Sequence, residues 1–442
     1  MNNSIFKKFC LLFLVLVLAV VMAACGDEDS SSSDTTDNTS ETATDNTSTD
    51  TTTDTEESSG LSGEITVWAH PYTDGSTGEA EMWEKFIGDF EAETGVKVNF
   101  EQIPWKNRDQ KILTALAAGQ GPDVFYVIPD QMPQYAEQQL ILDISPYVTA
   151  EELSGFVPTA IEATSWKGKQ YGMPILQTAE SLIYNKNILT ELGVDENSLP
   201  TNWDEFKALA EKAKAAGYYA FSYAGGGSLN NTLYPFLWQA GGNVIDENNN
   251  ILINSAESVK AFELLNEMYT KGWIPQDSIT AIEHDSLYYG GKLLAVNGSG
   301  ISVNNLLAEK PFDFVIAPPL KDAEQLTYGT VGMFVGSAIS KNPEAAAAFM
   351  KYITNTENQR TFNNITQYIP TRDDAKDIFT SQPYMAQLAG YTQYAKPGVI
   401  HPEGRNIMPL IQAEIQAMLE GNQTPQEAAD KSAEAINKLI NN

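Results

Sequence analysis

Sulfur and positive charge are scarce in this chain. Its 442 residues include two cysteines and three histidines, and 27 Lys and Arg stand against 58 Asp and Glu. Cys10 lies in an apolar leader that is expected to be removed. Cys25 is then the only sulfhydryl left, no disulfide can form, and the folded part must be held by its core. A formal net charge of −31 argues against nucleic acid as a partner, because affinity for phosphates rests on basic patches. Anionic membrane surfaces repel such a chain for the same reason. His70, His284 and His401 are far apart, with no His-Glu-x-x-His or Cys/His spacing for zinc and no Gly-x-Ser-x-Gly elbow for a nucleophilic serine. The leader's apolar run, Phe9 to Val21, stops short of the roughly 20 residues of a membrane-spanning helix.

What is present begins with an export signal. Lys7 and Lys8 precede the apolar run and small residues follow it, so residues 1–24 read as a signal peptide. Met22-Ala23-Ala24-Cys25 resembles the lipobox of bacterial lipoproteins, which implies cleavage before Cys25 and a lipid on its thiol. Plain secretory cleavage after Ala24 is the other reading. Residues 25–62 are mostly Ser, Thr, Asp, Glu and Asn, with Ala43 and Leu61 almost the only apolar side chains, too few to fold. No Lys or Arg interrupts the acids between Lys8 and Lys85, so this stretch is expected to be an extended, self-repelling tether. The lipid alone would hold it at the cell membrane, outside the cytoplasm. By analogy, a tether of this length suits the wall of a Gram-positive envelope.

Beyond Gly63 the patterning changes. Glu64–His70 is β-rich and alternates, and Glu79–Thr94 sets Met82, Trp83, Phe86, Ile87 and Phe90 at helical spacing before stopping at Gly95. Val96–Ile103 reads as a second strand, Asp109–Ala118 as a second helix and Asp123–Ile128 as a buried third strand. This βαβαβ order implies a largely parallel sheet. Capping pairs mark later helix starts: Asn202 with Glu205, Asn254 with Glu257, and Thr424-Pro425 with Glu427. Asn342-Pro343 opens another helix, Glu344–Ile353. The length of the folded part implies two domains.

Several stretches, taken in order, resemble the extracellular solute-binding proteins of ABC importers, family 1, the maltose-binding-protein type. They are Ile65-Thr66-Val67-Trp68, Ala117-Ala118-Gly119 with Gly121-Pro122-Asp123-Val124, and Tyr171-Gly172-Met173-Pro174. Leu182-Ile183-Tyr184-Asn185-Lys186, Trp203-Asp204-Glu205-Phe206, Trp238-Gln239-Ala240-Gly241-Gly242 and Ile369-Pro370-Thr371-Arg372 follow. The resemblance implies an α/β fold of two lobes in the periplasmic-binding-protein manner, a hinge crossed several times, and a ligand cleft between the lobes. Crossings are expected near Tyr171–Pro174, near Thr327–Met333 and soon after Arg372. Lobe 1 is then 63–171 with 330–375, and lobe 2 is 172–329 with 376–442.

A sugar needs flat aromatic faces and many hydrogen-bonding side chains. His70 and Tyr72, after the first strand, and Asp130, after the third, stand where such sheets present ligands, against a plain loop role. Trp105 either stacks on ligand or closes the lobe's edge. Gln177 and Thr178 follow the first crossing, Asn231 and Trp238 belong to the second lobe, and Trp238 is as well explained by core packing. The family often sets an aromatic after Asn-Gly, whereas this chain has Asn297-Gly298-Ser299-Gly300. Ser299 remains a candidate contact, and Tyr328, at the second crossing, can supply the missing face. Asp123 reads as a turn-fixing residue, and Asp246–Asn250 as a polar turn rather than a calcium loop, since it lacks the glycine and closing Glu. Gly225-Gly226-Gly227-Ser228 reads as a flexible turn.

These features point to a monomeric, non-catalytic receptor that needs neither cofactor nor metal. It would close on a sugar, an oligosaccharide, and pass it to the transmembrane subunits of an ABC permease. A non-sugar solute, a lipid-anchored glycosidase built on two of the many carboxylates, and an adhesion lipoprotein are the alternatives.

Overall fold

The computed structural model describes residues 60–441, apart from Asp74, Ser76 and Thr77. The signal peptide, the lipid attachment at Cys25 and nearly all of the tether therefore lie outside the described residues. The strands, in chain order, are β1 (Glu64–Ala69), β2 (Lys97–Gln102), β3 (Val124–Val127), β4 (Ser165–Trp166), β5 (Lys169–Gln170), β6 (Gly172–Gln177) and β7 (Ser181–Asn185). They continue with β8 (Tyr219–Phe221), β9 (Leu293–Gly298), β10 (Phe314–Ala317), β11 (Thr327–Tyr328), β12 (Val331–Gly336) and β13 (Ala395–Lys396).

Two sheets carry the architecture. One has the order β2-β1-β3-β12-β6 and the other β10-β7-β9-β8. In the first, only β12 runs against its neighbours, so the parallel sheet expected from the βαβαβ order is present. The helix Glu79–Thr94 buries Met82, Trp83, Phe86 and Phe90, the one stripe its spacing allows, against Phe334 and Phe349. All four residues of β3 are buried, because helices cover both faces of a parallel sheet. Asp123 reads from the sequence as fixing its own turn; its carboxylate instead ties the start of β3 to distant segments, Oδ2 accepting from Thr66 N at 2.8 Å and Oδ1 from Ser340 Oγ at 2.6 Å. The second lobe has its own core around Tyr234, Trp238, Phe262 and Trp273.

Capping side chains set several helix starts. Asn202 accepts from Glu205 N at 3.0 Å, and Thr424 and Glu427 form a full capping box. Asn254 does not cap: Ser255, one residue later, accepts from Ser258 N, and the Asn254 amide donates to Asp430 instead. Gly225 and Gly226 are packed rather than flexible. Their amides donate to Ser278 O and Ala281 O, both at 2.8 Å, and a Cβ on Gly225 would come within 2.4 Å of Ser278 O.

The chain passes between the lobes at three places. The sequence reading put Gly172–Gln177 beyond the first crossing, but this strand pairs with β12 in the first sheet, so the chain crosses at Thr178–Glu180. All six residues of β6 are buried, and such an apolar run carries no mark of which sheet it joins. The second crossing, at Gly329–Thr330, lies between β11 and β12. The third follows Asp373, whose N donates to Gly155 O in the first lobe at 3.0 Å, and is complete by Phe379, which packs with Phe314 and Leu388 beneath the second sheet. Backbone pairs tie the crossings together: Thr178 N to Thr330 O at 2.9 Å, Glu180 N to Tyr328 O at 2.9 Å, and Gln177 N to Ile369 O at 2.7 Å. Gly329 passes so close that a Cβ would meet Thr178 O at 2.3 Å and Ala395 Cβ at 2.5 Å. The Ile369-Pro370-Thr371 stretch is fastened by buried Gln359, which donates to Pro174 O at 2.9 Å and accepts from Thr371 N at 3.0 Å.

Candidate functional site

The cleft is organised around Asp130, which follows the carboxyl end of β3 and is 1% exposed. Its Oδ2 accepts from Asn230 Nδ2 at 2.9 Å and from Arg405 Nη1 at 3.2 Å. Arg405, in the first turn of the helix Gly404–Leu419, also donates from Nε and Nη2 to Asp109 Oδ2 at 3.1 and 2.8 Å. Asp109 and Asp130 belong to the first lobe, and Asn230 and Arg405 to the second. One guanidinium therefore clasps both. Burial would lower the Arg405 pKa, but the Asp130 and Asp109 carboxylates outweigh it and raise it. The buried Oδ1 atoms of Asp130 and Asn230 have no partner among the described residues. An unpaired buried oxygen costs roughly 1–3 kcal/mol, so both are acceptors suited to a hydroxyl proton. Gly398 passes directly over this pair, where a Cβ would come within 2.5 Å of Asn230 Oδ1.

Next to this clasp, on the first crossing, sits Glu180. It is buried, one oxygen receives the Asn231 amide, and Oε2 has no partner. Burial pushes its carboxyl up to about 8, so at neutral pH it is mostly protonated and can donate as well as accept. Tyr328 is buried within reach of both acids: burial raises its phenol pKa first, with Asp130 and Glu180 adding to the shift.

The first lobe contributes an aromatic wall. His70 Nδ1 meets Ile103 O at 2.8 Å, and its ring stacks on Trp105 with centroids 4.2 Å apart. Burial lowers the His70 pKa to about 4; the neutral ring donates through Nδ1 and leaves Nε2 as an unpartnered acceptor. Tyr72 is wedged edge-on against Trp105, Tyr126, Phe362 and Tyr368, and its hydroxyl is also unpartnered. The Glu79 carboxylate positions this loop by accepting from Tyr72 N at 3.1 Å and Thr73 N at 2.8 Å. Trp105 is 39% exposed, with its Nε1 tied to Pro71 O at 2.7 Å and Arg108 over its ring at 4.9 Å. It closes the lobe's edge, with His70 stacked on its ring and its outer part open to solvent.

Beside the crossings lies a cavity of about 770 Å³, lined by Gln177, Thr178, Thr330 and Pro370 together with Val157, Phe379 and Pro397. That volume is within the ordinary range for ligand pockets. The polar ends of Gln177 and Thr178 are held by the hinge itself, through Pro370 O at 2.8 Å and Thr330 N at 3.0 Å. A smaller cavity of about 310 Å³ adjoins the clasp, lined by Asp109, Gln131, Ser228, Arg405 and Met408.

The structure thus brings His70, Tyr72 and Trp105 into one cluster and Asp130, Asn231 and Tyr328 into another, with Gln177 and Thr178 at the hinge cavity. Trp238 is a core residue, 2% exposed, with Lys396 over its ring. Ser299 precedes a helix without capping it, and Gly300 has no room for an aromatic because a Cβ would meet Gln367 O at 2.3 Å. Glu180, Asn230 and Arg405 were not singled out from sequence. Arg405 did leave a signal there, since a cation in a helix's first turn opposes the helix dipole and calls for an outside partner.

Comparison with known proteins accords with this geometry. The family model described as bacterial extracellular solute-binding protein matches residues 73–360. The galactooligosaccharide-binding protein of Bacillus subtilis is 23% identical over 462 residues, covering 98% of this chain and 97% of the relative. The maltotriose-binding protein of Pyrococcus abyssi is 27% identical, covering 68% of this chain and 64% of its own length. Among solved structures, the ABC substrate-binding protein from Listeria monocytogenes in complex with cycloalternan superposes with a TM-score of 0.76 at 21% identity, over 86% of this chain and all of that one (100%). A cyclo/maltodextrin-binding protein complexed with maltotetraose gives 0.71 at 22% identity, over 85% and 97%. Both structures share the two-lobed fold.

Proposed function

We propose, since this chain belongs to the bacterial extracellular solute-binding proteins, that it captures a carbohydrate between its lobes and delivers it to the permease of an ABC importer. The observation that carries this reading is the set of buried hydrogen-bonding atoms, unpartnered among the described residues, that the two lobes bring together at Asp130 and Asn230. Asp130, Asn230 and the protonated Glu180 are matched to sugar hydroxyls, and the open outer part of Trp105 to the apolar side of a pyranose. The length of the cleft, with cavities along it, favours an oligosaccharide. No catalytic role is assigned. The ligand leaves as it entered, and its release is the reopening of the lobes.

In this reading the lipid on Cys25 keeps the receptor at the membrane that holds its permease, and the acidic tether gives it reach. A thermal-shift screen of mono- and oligosaccharides tests the assignment. A ligand that binds only the native state adds about 2.7 kcal/mol at 100 times its Kd. A shift with a peptide or polyamine and with no carbohydrate would refute the sugar reading, and chemical change of the best ligand on prolonged incubation would refute the non-catalytic one.

A further inference from the structure

A second cavity of about 770 Å³ lies farther along the cleft. The tip of the β4–β5 hairpin, Trp166 and Lys167, bounds it from the first lobe, and the turn Asp246–Asn249 and the segment Lys396–Pro402 bound it from the second. Pro397 and Ile400 line both this cavity and the one at the hinge, so a long solute in the cleft runs from one into the other.

Lys167, Lys396 and His401 line this cavity with Asp246 and Glu247, and of these cations Lys396 alone has no hydrogen-bonding or ionic partner among the described residues. Lys396 lines it with its ammonium 5.2 Å from the centre of the Trp238 ring, and burial lowers its pKa with no acid acting in the opposite sense. Trp238 lines it too, and its buried Nε1 has no partner among the described residues. The neighbouring acid, Asp246, is occupied by its own turn, accepting from Asn248 N at 2.9 Å, Asn250 N at 2.8 Å and Asn250 Nδ2 at 2.8 Å. Glu247 is exposed. Lys167 is paired with Glu137, and His401 is occupied by Asn249 Oδ1 at 3.1 Å. A chain with a formal charge of −31 does not lack acids to set beside a lysine. A half-buried ammonium and a neighbouring indole N–H, neither bonded to an acceptor, fit an incoming anion.

We propose that this cavity is a subsite for an anionic substituent of the bound sugar, a uronate carboxylate, held by Lys396 Nζ and Trp238 Nε1. The proposal rests on the reading of the cleft as the sugar site. The test is isothermal titration of the full-length chain with matched pairs of oligosaccharides, neutral and uronate-bearing, for wild type, Lys396→Met and Lys396→Arg. Methionine keeps the aliphatic cover over Trp238, and an unchanged melting temperature would confirm that the variant folds. The uronate member of the best pair is expected to bind about tenfold or more tightly than its neutral partner. That preference should vanish in Lys396→Met, return in Lys396→Arg and weaken with added salt. Equal or tighter binding of the neutral member, unchanged in Lys396→Met, overturns the anion subsite and leaves the sugar reading standing. Failure of every pair to bind overturns both.

Discussion

The two ends of the cleft are held together by different physics. At the hinge, the crossings are joined by backbone pairs such as Thr178 with Thr330, and the first-lobe strand leading into them is braced by the buried neutral amide of Gln359. At the mouth the lobes are joined by one guanidinium between two carboxylates. Backbone and amide bonds are indifferent to salt and to pH near neutrality, whereas ion pairs with partial exposure are screened and modest in worth. The hinge is therefore built to persist and the mouth to let go. Glu180 stands between them, on the hinge strand but facing the cleft acids, and brings pH into the balance.

The sharpest way to break this contrast is at the hinge. Gln359→Ala removes a buried side chain that donates to Pro174 O and accepts from Thr371 N, leaving a cavity and an unpaired amide. We expect a loss of about 2–4 kcal/mol in urea unfolding. A smaller effect is expected from pH. The Glu180 carboxyl, normally near 4.5, is raised to about 8 in the folded state, so the folded chain keeps a proton that the unfolded chain has released. Its stabilising contribution is complete below 4.5 and is lost as pH rises through 8. His70 works the other way, since its folded value is lowered from 6.5 to about 4, and costs stability as pH falls through that window. Between pH 6.5 and 8 only the Glu180 effect remains of the two, with a slope of up to about 1.4 kcal/mol per pH unit. Glu180→Gln should flatten it, and a variant with the wild-type slope would show that Glu180 is not the group responsible.

The last test is at the mouth. Arg405→Met leaves the Asp130 carboxylate, 1% exposed, without its cation; a buried charge left unpaired costs roughly 3–5 kcal/mol, and parting of the lobes to let water in brings the loss down to about 1 kcal/mol. Asp130 then has reason to regain water, so the radius of gyration in solution scattering should grow, and high salt should shift wild type toward the variant. No expansion would mean that the mouth is held by packing rather than by charge.

Much of this could be read from the sequence where a single side chain announces its task. Asn202 and Thr424 work through partners three residues away, and their roles were visible. Asn254 misled because Ser255 beside it is an equally good cap, and only Asp430, far along the chain, decides between them. The strand Gly172–Gln177 misled because residues buried on both faces look the same in either sheet. Of the site, residues at strand ends were recoverable from where α/β sheets present ligands. Glu180, between Ala179 and Ser181, looks like any surface acid until two crossing strands enclose it.

Gly329 has a consequence for how such a molecule moves. Three stretches of chain meet there with no space for even a methyl group, so none can bend while the others stay straight. The first two crossings and the strand at Ala395 behave as one torsion bar, twisted as a unit. A single added carbon at this point would act as a wedge in the wall of the hinge cavity, offering engineers a way to freeze the receptor in one posture.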